Sequence, residues 1–290
     1  MKNLKEYIKE GLFDDLDKIE KVGGMESNAE QLKKEIIDWI IKNNKERIYK
    51  NKIKIDTTTT PWTVDYEDNI QLQQSITSLN NDGMFQWGRM GGSFSCINCQ
   101  SLTSLKGAPK EVERNFECSW CQSLTSLEGA PKEVGWGFDC VGCISLKSLE
   151  GSPEKSWSFN CKFCDNLESL KGGPKEVIER FDCGNTNISS LQYAPKTPCI
   201  SCSNCENLKS LNGCPKKLEC FHCASCTSLK SLKGGPEVVG MIFNCRFTSI
   251  TSLEGAPKEV GIRFICNGCK TTFTEEDVRK VVNVKGDIIV

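Results

Sequence analysis

The sequence predicts an α/β solenoid of about nine stacked coils, with a parallel sheet on one face, helices ahead of the array and a cap behind it. Two observations predict it. The stretch Phe116–Val134, Phe-Glu-Cys-Ser-Trp-Cys-Gln-Ser-Leu-Thr-Ser-Leu-Glu-Gly-Ala-Pro-Lys-Glu-Val, returns with substitutions about nine times between Ser93 and the C-terminus. Its anchoring residue falls at Phe94, Phe116, Phe138, Phe159, Phe181, Ile200, Phe221, Phe243 and Phe264, at steps of 22, 22, 21, 22, 19, 21, 22 and 21 residues. A fixed period near 22 marks coils that each bury their apolar face only against the next.

Taken in order, the chain divides into a helical segment at 1–56 with a candidate leader at 1–22, an irregular leading coil at 57–92, the array at 93–270 and a helix-strand cap at 271–290. In the first stretch Leu4, Ile8, Leu12, Leu16 and Ile19 recur at helical spacing, and Gly23-Gly24 ends the pattern. Ser27 and Glu30 form a capping-box pattern before Leu32, Ile36, Ile37, Ile40 and Ile41, which predicts a second helix. Lys45–Lys54 is read as a solvated helix end and linker, and Thr57–Pro61 as the break. Trp62–Asp65 and Ile70–Leu72 alternate as short strands. Ile76-Thr-Ser-Leu79 repeats the Leu-Thr-Ser-Leu of later units.

Within a unit, Phe at offset 0 and Cys at offset 2 alternate with polar residues, as in a half-buried strand. A second Cys at offset 5 and Leu at offsets 8 and 11 face inward. Gly-Ala-Pro or Gly-Gly-Pro then forces a turn, and Val134 and its equivalents return to the interior. The units at Phe181 and Phe243 carry Thr at offset 5 and shorten by one residue, so the second Cys belongs to a particular backbone geometry. At the C-terminal end Thr274 and Asp277 flank a helix start. Val278, Val281 and Val282 supply its apolar face, and Gly286 precedes a strand at Asp287–Val290.

At these residues a family resemblance enters. Phe-x-Cys-x-x-Cys-x-x-Leu resembles the Leu-x-Leu-x-x-Asn/Cys-x-Leu segment of leucine-rich repeats, in their cysteine-containing form. The Leu-x-Gly-x-Pro-x-x-Val half is similar to the short proline-bearing repeats of bacterial effector proteins. Leu-Thr-Ser-Leu-x-Gly-Ala-Pro-Lys-Glu-Val resembles arrays in hypothetical proteins of gut bacteria and their phages. The leucine-rich-repeat-like resemblance covers roughly 200 of the 290 residues and implies a habit of binding proteins through the sheet face. The opening Met-Lys-Asn-Leu-Lys-Glu-Tyr-Ile-Lys-Glu resembles N-terminal peptides of large tailed phages, including leaders that carry internal head proteins into the capsid.

Composition narrows the function further. With 37 Lys and Arg against 38 Asp and Glu there is no net field to attract nucleic acid or an anionic membrane. No apolar run is long enough to span a bilayer, and no secretory h-region opens the chain. The 19 cysteines, all between Cys96 and Cys269, suit a reducing cytosol with mostly free thiols. Seven Cys-x-x-Cys pairs (Cys96/Cys99, Cys118/Cys121, Cys140/Cys143, Cys161/Cys164, Cys202/Cys205, Cys223/Cys226, Cys266/Cys269) raise a zinc array. Against it, the units at Cys183 and Cys245 lose the second Cys with no replacement ligand. Cysteine is also at home as a small buried hydrophobe. Cys199, Cys214 and Cys220 lie outside the two cysteine columns. The only histidine is His222, and no nucleophile elbow, phosphate loop or metalloprotease helix is present.

The expectation is therefore a non-enzymatic, cofactor-free module in the cytosol or a phage particle that binds another protein through its sheet face. The outward column at offset 1 runs Ser95, Glu117, Asp139, Asn160, Asp182, Ser201, His222, Asn244 and Ile265, beside a column that includes Asn115, Arg180 and Arg263. The expected partner-binding residues are Glu117, Asp139, Asn160, Asp182, His222 and Asn244, with Trp120, Phe163 and Phe247 as exposed aromatics. Each aromatic has an equal alternative in packing on the adjacent coil. The alternatives are a structural or cargo component of a phage particle and, third, a multi-site zinc-binding protein.

Overall fold

The structure is a computed structural model and describes residues 25–290; the helix and leader read at 1–22 lie outside the described residues. The chain forms a solenoid of about ten coils joined by parallel strands. Its first described element is α1 (Met25–Asn43). This helix includes Met25, so Ser27 lies inside it and is not its N-cap. Leu32, Ile36 and Ile40 are buried as the periodicity expects, whereas Ile41 is exposed. The helix ends at Asn43, well before Thr57–Pro61. The span read as linker instead forms β1 (Ile53–Asp56), which pairs antiparallel with β2 (Thr63–Tyr66). Alternating Ile53-Lys-Ile55-Asp is strand chemistry, and the basic run around it concealed that pattern.

From β2 onward every long-range pairing is parallel. β2 and β3 (Ile70–Gln71) lie under β4 (Gln86–Met90) and β5 (Phe94–Ser95); those lie under β6 (Glu111–Val112) and β7 (Phe116–Glu117). The two legs then fuse into one bent strand per coil: β8 (Glu133–Asp139), β9 (Lys155–Asn160) and β10 (Glu176–Asp182). β11 (Cys199–Ser201), β12 (Lys217–His222) and β13 (Val238–Asn244) follow, then β14 (Glu259–Val260) with β15 (Arg263–Ile265). Cα register sets Phe94 on Phe116, Phe116 on Phe138, Phe138 on Phe159 and Phe159 on Phe181, in a column that begins at Ile70. Their rings stack at centroid separations of 5.1–5.7 Å. At the N-terminal end the column continues through Trp87 and Phe85 to Trp39 of α1, by edge contacts of 5.9, 4.9 and 5.5 Å. The helix thus closes the first coil with aromatic surface.

The predicted α/β class is not what the described residues show. They contain two α-helices, α1 and α2 (Glu275–Val281), and one 3-10 turn at Lys50–Lys52, and none of these lies within a coil of the array. The return leg is too short and too interrupted for helix. It holds Leu-x-x-Leu-x-Gly-x-Pro, with Gly129 at φ 96° and Pro131 buried immediately after. Coil-to-coil backbone bonds run through this leg too, as in Thr125 N–H to Thr103 O at 3.1 Å and Leu105 N–H to Glu128 O at 3.1 Å. The fold is a mostly-β solenoid.

At the far end Thr274 and Asp277 form the capping box of α2. Val278 and Val282 are buried, whereas Val281 is exposed, because the helix is only two turns long and seats a single edge on the array. β16 (Asn283–Val284) and β17 (Asp287–Ile289) set Val284 on Val260 and Ile288 on Phe264.

Because each ring packs only on its neighbours, a gap in the column is not refilled from elsewhere. Phe138→Ala is expected to lower the unfolding free energy by about 3–5 kcal/mol, read as a shift of the denaturant midpoint; a shift under about 1 kcal/mol would show that the stack is not a stabilising column.

Candidate functional site

Two sets of residues carry chemistry: the interior thiols and the outer strand face. The thiols come first because they decide whether the array is a metal centre. A carbonyl at offset 2 points inward, away from the strand ladder. The offset-5 thiol of the next coil donates to it: Cys121 Sγ to Cys96 O at 3.1 Å, Cys143 to Cys118 O at 3.1 Å, Cys164 to Cys140 O at 3.2 Å and Cys226 to Cys202 O at 3.1 Å. Where Thr replaces Cys, its hydroxyl bonds the offset-2 carbonyl of its own coil, Thr186 to Cys183 O and Thr248 to Cys245 O, both at 2.8 Å. The second Cys is therefore a hydrogen-bond donor; Thr is a donor too, but it serves the carbonyl of its own coil. All nineteen thiols are free, and among the described residues no group of three or more His, Cys, Asp or Glu side chains is arranged to hold a metal ion. Cys199 and Cys220 sit opposite one another on neighbouring strands, and Cys214 fills the small-residue position of a turn.

Burial, ahead of the neighbouring thiols, holds Cys118, Cys161, Cys183 and Cys223 well above the ordinary value near 9. It pushes Cys205, Cys214 and Cys266 up to about 12. Since the folded values are raised, the stabilisation is fully present below pH 9 and is lost as pH climbs toward 12. Above about pH 9 unfolding free energy is expected to fall by as much as ~1.4 kcal/mol per pH unit for each such thiol. Urea titrations between pH 8 and 10.5 under reductant check this, and a flat profile would contradict it. Cys143→Val, which keeps the volume and deletes the donor, is expected to cost about 1–3 kcal/mol; Cys143→Ser, which keeps a donor on an unbranched side chain, should recover much of it. Equal losses for the two variants would show that the thiol acts by bulk alone.

The outer face is less uniform than the interior. Glu117, Asp139, Asn160, His222 and Asn244 are half-buried on it. Asp182 is buried at 6 %, where it accepts from Arg180 Nη2 at 2.9 Å and from the Gly184 N–H at 3.1 Å, so it is a less available surface group than its column predicts. Among the described residues neither Glu117 nor Asp139 forms a salt bridge. Burial raises the Asp139 carboxyl; the Asn160 amide opposes the rise and the Glu117 carboxylate adds to it. His222 is held below its ordinary value by burial and by Arg180.

Trp120, Phe163 and Phe247 are exposed and occupy one corner of their coils with φ of 62°, 57° and 56°. Asn98, Gly142, Asn185, Asn204, Ser225 and Gly268 fill that corner in the other coils, also at positive φ. Bulky side chains seldom adopt this conformation. Both alternatives for the aromatics are met at once. Trp120 lies over Gly142, whose Cβ would meet its ring at 2.3 Å, and Phe247 lies over Gly268 in the same way. Trp120 also stacks toward Phe163 at 6.4 Å, leaving the outer ring faces to solvent.

The sequence reading passed over a second aromatic line. Trp136 and Trp157 are 56 % and 48 % exposed, and Ile178 of the next coil is 42 % exposed. Trp136 and Trp157 stand two residues before Phe138 and Phe159, so strict alternation turns them inward. The strand instead bends there, with a register shift between Val134 and Gly137, and both legs present apolar residues to the core while the bend faces out. The available signal was the spacing: Val134 and Phe138 are both buried with three residues between them, one more Trp than an interior of this width holds. Arg114 covers Trp136 at 5.6 Å, and Trp157 Nε1 donates to Glu179 at 2.6 Å. A groove of about 930 Å³ runs from the Pro109 and Pro131 turns to Trp157 and Ile178.

On the coils between residues 116 and 163 these features coincide. Trp136 and Trp157 bound one side of a strip formed by Glu117, Asp139 and Asn160, and Trp120 and Phe163 bound the other. Comparison with protein-family models, with curated proteins and with solved structures found no match to this chain. No helix of the described residues is long and apolar enough to cross a membrane.

Proposed function

We propose that this chain is a non-catalytic recognition module that takes an extended, basic segment of another protein along its outer strand face. The observation that carries the reading is the pair of exposed aromatic lines on either side of the unpaired carboxylates of Glu117 and Asp139. Solvent-facing Trp contributes binding energy out of proportion to its area when a partner covers it, and carboxylates without an ion-pair partner favour a cationic one. Asp182, His222, Asn244 and Phe247 continue the same face on later coils and form its far half. The repeat's resemblance to leucine-rich repeats supports the reading, as does the supply of free buried thiols, which suits a reducing cytosol. No cofactor enters the proposal.

The test uses the full chain, under reductant, as the target for a displayed library of random peptides. Enrichment of Lys- and Arg-bearing sequences is expected, with affinity falling roughly tenfold or more for Trp136→Ala/Trp157→Ala and for Glu117→Lys/Asp139→Lys. Peptides that bind both variants as tightly as the parent would place recognition elsewhere.

A further inference from the structure

Of the nineteen cysteines, only Cys199 and Cys220 are partly exposed; every other thiol is buried. They stand one residue before the interior anchors Ile200 and Phe221, so alternation turns both to the outer face of the sheet. That column runs Ser158, Arg180, Cys199, Cys220, Ile242 and Arg263 from coil to coil, with cysteine only at these two neighbouring places.

Cys199 and Cys220 are Cα partners in the parallel ladder, whose strands lie about 4.8 Å apart. A disulfide needs Cα atoms roughly 4.4–6.8 Å apart and side chains that leave on the same side. The pair meets both conditions in its existing register. The backbone fixes that register on either side of the pair: Pro198 O accepts from the Cys220 N–H at 3.2 Å, and the Cys202 N–H donates to His222 O at 2.8 Å. Interior thiols stack at the same spacing, so distance does not single this pair out. Access does. An oxidant must reach the sulfur and a thiolate must form. In the interior columns burial keeps the oxidant out, and it holds thiols such as Cys118 and Cys223 well above their ordinary value. At Cys199 burial, and then the Cys220 thiol, push the value up only to about 11, and the Arg180 guanidinium opposes the rise.

We infer that Cys199 and Cys220 are an oxidation site, a thiol pair that closes into a reversible disulfide between two successive coils in the presence of a small-molecule disulfide such as oxidised glutathione. The thiolate of one cysteine attacks a sulfur of the small disulfide, which forms a mixed disulfide and releases one small thiolate. The second cysteine gives its proton to solvent and attacks the protein sulfur of the mixed disulfide, and the second small thiolate leaves. The protein gives up two protons and two electrons; the oxidant takes the electrons and, with two protons from solvent, becomes two thiols. Partial exposure leaves the bond open to attack by a free thiol, so reduced glutathione reverses it. The site lies on later coils than the strip between Trp136 and Trp157 and does not depend on what that strip binds.

The test equilibrates the full chain in glutathione buffers of rising oxidised fraction, quenches with acid and alkylates with N-ethylmaleimide in denaturant. Intact mass is expected to show two fewer adducts per chain at the oxidising end, all restored by excess reduced glutathione. Fragment spectra should place the link between Cys199 and Cys220. Cys199→Ser and Cys220→Ser should each lose the link and stop at the mixed disulfide, one glutathione per chain, with the circular dichroism of the parent. A parent that keeps every adduct under oxidising buffer would overturn the assignment, as would loss of two adducts in either single variant. A link mapped to other cysteines, or one that forms only between chains or only in urea, would overturn it too.

Discussion

A carbonyl turned into the core of a solenoid needs a donor, and much of this molecule follows from how that need is met. The strand ladder satisfies the groups that lie in its plane, but the offset-2 carbonyl points inward. An unpaired buried carbonyl would weaken every coil by an amount comparable to a lost hydrogen bond. A thiol from the following coil supplies the donor at 3.1–3.3 Å in each of the pairs from Cys121 onto Cys96 to Cys269 onto Cys245. Cysteine is small enough for the tight corner, apolar enough for the interior and still carries a proton to donate. Thr186 and Thr248 depart from this pattern: their hydroxyls bond Cys183 O and Cys245 O, which also take Cys205 and Cys269, and the thiol ladder skips the Cys161 and Cys223 carbonyls. The offset-5 thiols donate along the stack, and among the described residues no group of three or more thiols is arranged to hold a metal ion.

The second constraint is the corner that follows the strand. Each coil from Phe94 to Phe264 passes through a left-handed residue four positions after its anchor, from Asn98 to Gly268. Asn and Gly meet that requirement at little expense. Trp120, Phe163 and Phe247 meet it at a penalty of about 1–2 kcal/mol each, which Trp120 and Phe247 offset in part by lying on Gly142 and Gly268. For Trp120 and Phe247 the glycine of the next coil makes room for the ring; Phe163, followed by Asn185, instead stacks toward Trp120 across Gly142.

Much of this was legible in the sequence because a period is robust to substitution. Nine anchors at nearly constant spacing located the coils, their inward residues and the capping box at Thr274 and Asp277. What was not legible came from backbone geometry that alternation alone does not encode. Resemblance to leucine-rich repeats suggested α/β layers, yet a left-handed residue, glycine in most coils and Tyr193 in one, with a proline two residues later leaves no room for a helical turn in the return leg. Ile53 and Ile55 form a strand only because β2 offers an antiparallel edge. Trp136 and Trp157 were passed over because the strand turns a corner between Val134 and Phe138, and a side chain at a corner belongs to neither face of the flat strand. The Arg180–Asp182 pair was within reach of alternation, which sets residues two apart on one face; Asp182 was read as open because its column was weighed without the neighbouring one.

That corner also explains why the proposed recognition face is local when the array is not. A uniform solenoid repeats its surface along its length, so a binding site must arise where the repeat is broken on one side while the core remains in register. Residues 114–163 are such a place. The interior columns of Phe, Cys and Leu continue through it without interruption, whereas the outer column exchanges Asn115 and Ser158 for the bare backbone of Gly137 and raises an indole on each side. The thiol ladder and the phenylalanine stack fix the distance from one coil to the next. The spacing of Trp136 from Trp157 is therefore set by the core and does not depend on a loop. Rigid spacing of this kind lowers the entropic cost of seating a partner on a shallow surface, because the walls are already in place before it arrives.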